Sequence, residues 1–486
     1  MVVDTPGGRY HVEWNESAPM TPSGQLVFFA QFLEANELFS RLCEDAPFDY
    51  TSPNAPKVRD VLGTILLSAL AGHSRYAHMT ALRFDDVTPG VLGMSKVVSE
   101  DSARRSLGKL ERERARKWQR DHMRACWVSL LCEPWILDID STVKLIYGRQ
   151  EGAEVGYNSH KPGRPSHTYH TYWMAKTRIC LDVEVRPGNQ HAGKHGMPAL
   201  WELIDSLPRE KWPHLLRGDC GYGNQANMSE AEERGINYLF KLRQSTKVKR
   251  LIGQLEKGGA WCDAGKGFQG TEALLRLDGW DKQRRVIVLR RMREVRNKKP
   301  GVPLLAGAEQ WTFEQGAYEY AILVTNLTFG IEASAQLYRD RADSENPFDE
   351  LKNQWGWGGF VTHDLARCQI IARYIALIYN WWSLFVRLLC PHKHSEAITS
   401  RPMMMGGVAR QTTHAGQKKL HIGLTHGKSE EIKKILRGAC LFLQGLIEAA
   451  EQLSQPERWR RMLSRIFEKF LRGRPLACPV PDIMGG

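Results

Sequence analysis

Three carboxylates stand where simple patterning would gather them: Asp140, Asp219 and Glu345. Ile136-Leu137-Asp138-Ile139-Asp140 alternates apolar and acidic residues, which predicts a strand with both carboxylates on one face. Asp219 ends a short apolar run from His214 and opens a glycine turn. Glu345 falls in a helical stretch with Tyr338, Arg341 and Lys352. At roughly 100° per residue these four lie at about −20°, 0°, −60° and −40°, all on one face. A Glu among Tyr, Arg and Lys makes a poor buried stripe, but it suits a surface holding a metal ion together with phosphate oxygens. Carboxylates crowded together raise one another's pKa unless cations compensate. Their hard oxygens favour Mg2+ or Mn2+ over zinc. With 54 acids in the chain, such a triple proves nothing by itself.

The elements that must carry these residues follow from periodicity. Strand-like runs at Thr168–Lys176 and Arg178–Val185 follow the first strand, with Pro187-Gly188 as a turn. A helix over Met197–Leu207 leads to the Asp219 strand, and a helix at Ser229–Gly235 leads to a strand at Asn237–Leu242. Three strands, then helix and strand in alternation, predict a mixed α/β sheet. Residues 245–329 hold strand-like runs at 274–277, 285–289 and 320–324 around a polar loop from Arg293 to Pro303, and read as a β-rich insertion. Helical spacing covers 22–42 and 58–82, and a basic helix is expected over Ala103–Arg124, capped by Ser99 or Ser102. That basic segment is either a solvated face laced with Glu–Arg pairs or a helix lying on DNA, and spacing does not decide.

Composition bounds the rest. A chain of 486 residues exceeds what one core usually supports. Lys and Arg number 67 against 54 Asp and Glu, a net charge of +13, which favours polyanionic partners, nucleic acid first. Ten scattered cysteines without a CxxC pair indicate neither a zinc ribbon nor a disulfide scaffold, so a reducing, cytoplasmic setting is expected. The opening residues lack the order of a signal peptide. The most apolar stretch, Ile370–Cys390, is broken by Arg373, Asn380 and Arg387, and a buried helix fits it better than a membrane span.

Tyr338-x2-Arg341-x3-Glu345-x6-Lys352 resembles the motif of one group of DDE transposases of bacterial insertion sequences, complete in all four positions. Asp140-Ser141-Thr142 and Arg217-Gly218-Asp219-Cys220-Gly221-Tyr222 resemble the settings of their first two acids, and Gly156–His167 also looks familiar from such enzymes. The resemblance spans roughly 135–390. It implies a ribonuclease H-like catalytic core within 131–395, interrupted by the insertion at about 245–329 and flanked by helical regions at 1–130 and 396–486. The N-terminal region would bind the terminal inverted repeats. Asp140, Asp219 and Glu345 would hold two Mg2+ ions, with Mn2+ able to substitute. Tyr338, Arg341 and Lys352 would contact phosphates around a DNA hairpin. The partners implied are double-stranded DNA, both element ends and target, and a second copy of the chain in the DNA complex, with no membrane involved. Asp138 faces the same way as Asp140, but only Asp140 has the Asp-x-Thr setting. The rival functions are a transposase-derived DNA-binding protein that does not cut, and a ribonuclease H-like nuclease that does not join strands.

One departure concerns Pro347, two residues after Glu345. A proline inside a helix removes a bond and clashes one turn back, whereas Asn346-Pro347 also reads as a fresh helix start. A kinked helix is expected, and a junction at Glu345 would weaken the single-face argument. Among weaker signals, five histidines gather between His160 and His195, and the glycines around His191-x3-His195 argue for a loop with a phosphate-contacting or structural role rather than zinc. Gly423–Ser429 imitates a nucleotide loop but is one residue short, so a helix start capped by Ser429 is expected. Trp280, Trp311, Trp355 and Trp357 are core candidates first and base-stacking candidates second. The patch 401–407 separates the middle from a final helical region with a basic end at 458–474.

Overall fold

The structure is a computed structural model. It describes residues 1–13, 19–131, 134–158, 161–292, 314–315, 318–341, 345–392, 394–423, 427–472 and 476. The expected polar loop at 293–303, His160, Trp311 and the middle of the 423–429 loop lie outside the described residues. The chain forms two compact units. One comprises the described residues of Met1–Trp118, Gln354–Gly356 and Trp381–Leu476, and the other those of Gln119–Asn353 and Trp357–Asn380. Most of the two terminal regions expected at 1–130 and 396–486 therefore share one unit.

In the first unit, α1 (Leu26–Glu34) and α2 (Leu38–Glu44) replace the single helix expected over 22–42. The break falls at Glu37, whose φ of 57° is left-handed. The long helix expected over 58–82 ends early: α3 (Val58–Leu70) stops and a 3-10 turn (Tyr76–Phe84) follows. The basic segment is likewise two helices, α4 (Glu100–Leu107) and α5 (Arg112–Trp127). Ser99 caps α4, its hydroxyl accepting from the Ser102 N–H at 3.2 Å, which satisfies an orphan donor of the first turn.

The second unit is built on one mixed sheet. Its strands longer than two residues are β1 (Ile136–Leu145), β2 (Pro165–Met174), β3 (Ile179–Pro187), β4 (Leu215–Gly218) and β5 (Asn237–Lys241), then β6 (Gln269–Leu275), β7 (Arg284–Met292) and β8 (Tyr318–Thr325). The order across the sheet is β6-β7-β8-β5-β4-β1-β2-β3. β1, β2 and β3 pair antiparallel, while β1, β4 and β5 run parallel. The expected insertion extends this sheet, because β8 pairs antiparallel with β5. Connections that return to a parallel neighbour need a crossover, and α6 (Met197–Asp205) and α7 (Gln225–Glu233) supply it. After β5 come α8 (Thr246–Gly258) and, past the insertion, α9 (Ile331–Arg339).

Alternation along β1 puts Leu137 and Ile139, both fully buried, opposite Ile136, Asp138 and Asp140. The face with the acids is covered by α9: Ala335, Ile331, Leu337 and Tyr338 pack on Leu215, Leu239, Ile287 and Leu323. α9 does not continue through the motif. It ends at Arg339, and a separate helix, α10 (Glu345–Gln354), begins at Glu345. The expected kinked helix is corrected here: Pro347 lies in the first turn of α10, where its missing N–H has no intrahelical partner to lose. α11 (Leu365–Leu389) is the apolar stretch. Two of its polar interruptions bind β3: the Asn380 amide bridges the N–H and C=O of Cys180 at 2.9 and 2.7 Å, and Arg373 meets Asp182. No described helix is long and apolar enough to cross a membrane.

The last part of the first unit holds α12 (Ala397–Met404), the strands β9 (Ala409–His414) and β10 (Gln417–Ile422), α13 (Ser429–Glu448) and α14 (Gln455–Ile466). A purely helical region was expected from 396, and β9 and β10 correct that. The patch at 401–407 is not a linker, since Arg401 donates to the carbonyls of Gln354 and Ala69 at 2.7 and 3.0 Å. Ser429 is the first residue of α13 rather than its cap.

Candidate active site

β1 and β4 are in parallel register with Ile139 opposite Gly218, so the next residues along the two strands are Asp140 and Asp219. Asp140 is the fifth residue of β1, just past its last pair with β4, and Asp219 follows the last residue of β4, so both stand where the parallel pairing ends, the side on which open α/β sheets place their ligands. The glycine before Asp219 is required: a Cβ on Gly218 would sit 2.8 Å from the ring of the buried Tyr222. Asp219 is half-buried, and its Oδ1 accepts from the Gly221 N–H at 2.8 Å, which fixes the turn. Asp140 Oδ1 accepts from the Ser141 N–H at 2.7 Å.

The remaining residues of the motif divide. Arg341 is buried, and its Nη2 donates to Asp140 Oδ2 at 2.5 Å. The Tyr338 phenol is enclosed with no hydrogen-bond partner among the described residues. Burial pushes its pKa far up, and Asp219 and Asp140 nearby raise it further, against Arg341. Asp140, Asp219, Arg341 and Tyr338 thus form one cluster. Lys352 lies on α10, half-buried, with burial pulling its ammonium down and Asp349 favouring the charged form. The backbone of Glu345 opens α10, and its side chain lies outside the described residues. Among the described residues, no three His, Cys, Asp or Glu side chains converge on one cation.

Asp138 is distinct from Asp140 despite sharing its face. It is 1% exposed and bound at both oxygens by Arg217, with Nε at 2.6 Å and Nη2 at 2.7 Å. Arg217 also donates to the carbonyl of Leu337, one of the last carbonyls of α9. The pair therefore ties the end of α9 to the sheet, immediately before Tyr338 and Arg341.

A basic pair flanks Asp219. Arg243, two residues past β5, donates from Nη2 to His191 Nε2 at 2.7 Å. His191 caps a short helix (Ala192–His195) where a loop was expected. That helix abuts the Asp219 turn so closely that a Cβ on Gly193 would lie 2.0 Å from the Gly221 carbonyl. Cys220 lies beside Arg243, and burial pushes its thiol up, Asp219 adding to the effect. Sequence reading had not singled out Arg243. Its position after the third parallel strand, matching Asp219 after the second, was the available signal. Trp280, Trp355 and Trp357 are buried.

A sequence profile described as "Transposase DDE domain group 1" matches residues 48–403. The chain belongs to that family. The match begins well before β1, so the family's region takes in α3 to α5 as well as the sheet. The transposase family is one of metal-dependent DNA-cleaving enzymes. No curated protein matches the chain. Among solved structures, the chain is similar to the piggyBac transposase in "Cryo-EM structure of piggyBac transposase synaptic complex with hairpin DNA (SNHP)". The two are 10% identical with a TM-score of 0.38, over 96% of this chain and 90% of that chain, a likeness that decides nothing about activity.

Proposed function

We propose that this chain is the transposase of a bacterial insertion sequence, working in the cytoplasm as a cut-and-paste enzyme on the terminal inverted repeats. The observation that carries this is the placement of Asp140 and Asp219 directly after the last parallel pair of β1 and β4, inside the region matched by the family. Three antiparallel strands followed by two parallel ones support reading the sheet as a ribonuclease H-like core extended by a β-rich insertion.

The two described carboxylates fit a divalent cation: adjacent, anionic and all-oxygen, as Mg2+ or Mn2+ prefers. Glu345 is the third donor in this reading. Divalent cations held there would activate the attacking water or 3′-hydroxyl and stabilise the leaving oxygen of an in-line displacement. The chain's own groups prepare the site. Arg341 neutralises Asp140 in the meantime, and must release it before that carboxylate serves a cation. The freed guanidinium then offers a planar fork to a phosphate, as Lys352 offers a point charge and Tyr338 a phenol. Processing through hairpin ends and a dimer bridging two DNA ends belong to the same reading.

The test is incubation of a labelled element end with Mg2+, comparing the parent with Asp140→Ala, Asp219→Ala and Glu345→Ala. Each variant should bind DNA and cut none. Substantial cutting by any one removes that residue from the site.

A further inference from the structure

From Ala397 to Ser429 the sequence holds no Asp or Glu, while Arg401, Arg410, Lys418, Lys419 and Lys428 are all cationic. The middle of this stretch is the ribbon of β9 and β10, paired in register from Ala409↔Ile422 to His414↔Gln417. Ala415 and Gly416 close it with φ of 49° and 78°, the positive pair of a tight hairpin turn. Among the described residues it is anchored at its base, where Ala409 and Arg410 pair with Thr21 and Met20, the Gln411 N–H donates to the Pro19 carbonyl at 3.0 Å, and Ala409 is buried. Arg410, Thr413, His414, Gln417, Lys418, Lys419 and His421 are exposed.

Cross-strand pairing puts Arg410, Thr412 and His414 on one face with His421, Lys419 and Gln417. Thr412 Oγ1 and His421 Nε2 meet across that face at 3.2 Å. Past the short third strand at its base, the described part of the ribbon is two strands, an arrangement that gains little from its own burial and is marginal in isolation. Lysines on an open edge would guard against pairing with another sheet. Edge protection does not account for a face of hydrogen-bonding and cationic side chains in a stretch of 33 residues without an acid.

We infer that this ribbon is a DNA-binding element that enters the major groove of a duplex. Two strands roughly 4.8 Å apart and six residues long, about 20 Å, fit a groove about 12 Å wide and not a minor groove of about 6 Å. Arg410, Lys418 and Lys419 neutralise phosphates, and Thr412 and Gln417 present donors and acceptors to base edges. The inference rests on the reading above in taking duplex DNA as the partner, and it adds a contact away from the carboxylates.

The experiment uses the full chain and a fluorescent duplex carrying the element end, with anisotropy titrations from low to moderate salt. The triple variant Arg410→Ser, Lys418→Ser, Lys419→Ser should bind roughly tenfold or more weakly, and its slope of log K against log salt should be shallower by about 2.7. The charge-keeping pair Lys418→Arg, Lys419→Arg should behave as the parent, which separates lost charge from lost folding. A triple variant with the parent's affinity and slope overturns the ribbon proposal and leaves the transposase reading standing. A parent that binds no duplex overturns both. If instead the triple variant loses binding to phosphatidylserine vesicles but not to the duplex, the ribbon serves a lipid surface and the proposal is wrong.

Discussion

His170 has both ring nitrogens buried without a hydrogen-bond partner among the described residues. It sits on β2, opposite Ser141 on one side and Glu184 on the other. Burial drives its pKa from 6.5 down to about 3, with Arg186, His195 and His191 adding to the effect. The folded chain therefore refuses a proton that the unfolded chain accepts below its ordinary value. Between those two values the unfolded state binds more protons, so stability falls as the pH drops. From pH 7.5 to 5.5 this residue should cost about 1.4 kcal/mol. Urea midpoints at the two pH values should show that loss in the parent and lack it in His170→Leu. Equal pH responses would mean that His170 is already solvated or paired.

At the level of elements, Asp138 and Arg217 show how a site is held without touching substrate. Arg217 is 1% exposed and joins β4, β1 and the end of α9. Removing Asp138 would leave a buried guanidinium uncompensated, which costs about 3–5 kcal/mol. Asp138→Ala should thus lose most of its stability by denaturant titration, whereas Asp219→Ala, half-exposed and bound to one backbone N–H, should stay within about 1 kcal/mol of the parent. Near-equal stabilities would show that the Asp138–Arg217 pair is not structural. A second buried network secures β3. Arg373 and Arg120 meet Asp182 at 2.7 Å each, and both also reach Glu184. Burial pushes the Asp182 carboxyl up, but the two guanidinium groups more than offset this and hold it below the ordinary range. Two of the three polar breaks in the apolar 370–390 stretch, Arg373 and Asn380, are therefore ties to a strand.

At the scale of the whole molecule, the chain's two ends build one body. Phe29 packs on Trp382 and Phe385 with ring centres 5.2 and 5.4 Å apart, and Phe32 reaches Trp459 at 6.5 Å. The Gln25 amide donates to the Met403 carbonyl at 3.1 Å. A chain ending at residue 396 would lose Trp459 and the rest of that cover, and burial of a large aromatic is worth about 3–5 kcal/mol. Scanning calorimetry of the truncated chain should show the transition of this unit abolished. A transition kept at the parent's temperature would show that the N-terminal helices fold without the C-terminal ones.

What the sequence determined by itself was local in origin. Alternation at 136–140 declares a strand and the face its acids share, a serine at 99 or 102 declares a helix start, and the order of strands and helices from 136 to 242 declares a mixed sheet. Each depends on neighbours in the chain, whose geometry is fixed by a period of two or of 3.6. The motif around Tyr338 to Lys352 was legible as a set of residue types, but the single helix inferred from its spacing was not what formed. Angular bookkeeping assumes an unbroken helix, and α9 and α10 are separate. Tertiary structure alone decided that Asp138 goes to Arg217 while Asp140 goes to Arg341, two acids that alternation puts on one face and that only the Asp-x-Thr setting distinguished. It alone brought Arg243 beside His191, raised a ribbon from a region that looked helical, and joined residues near 30 to residues near 460. These outcomes turn on which faces bury against which and on where a buried charge finds its partner. Such pairings span up to hundreds of residues, and spacing along the chain carries no record of them.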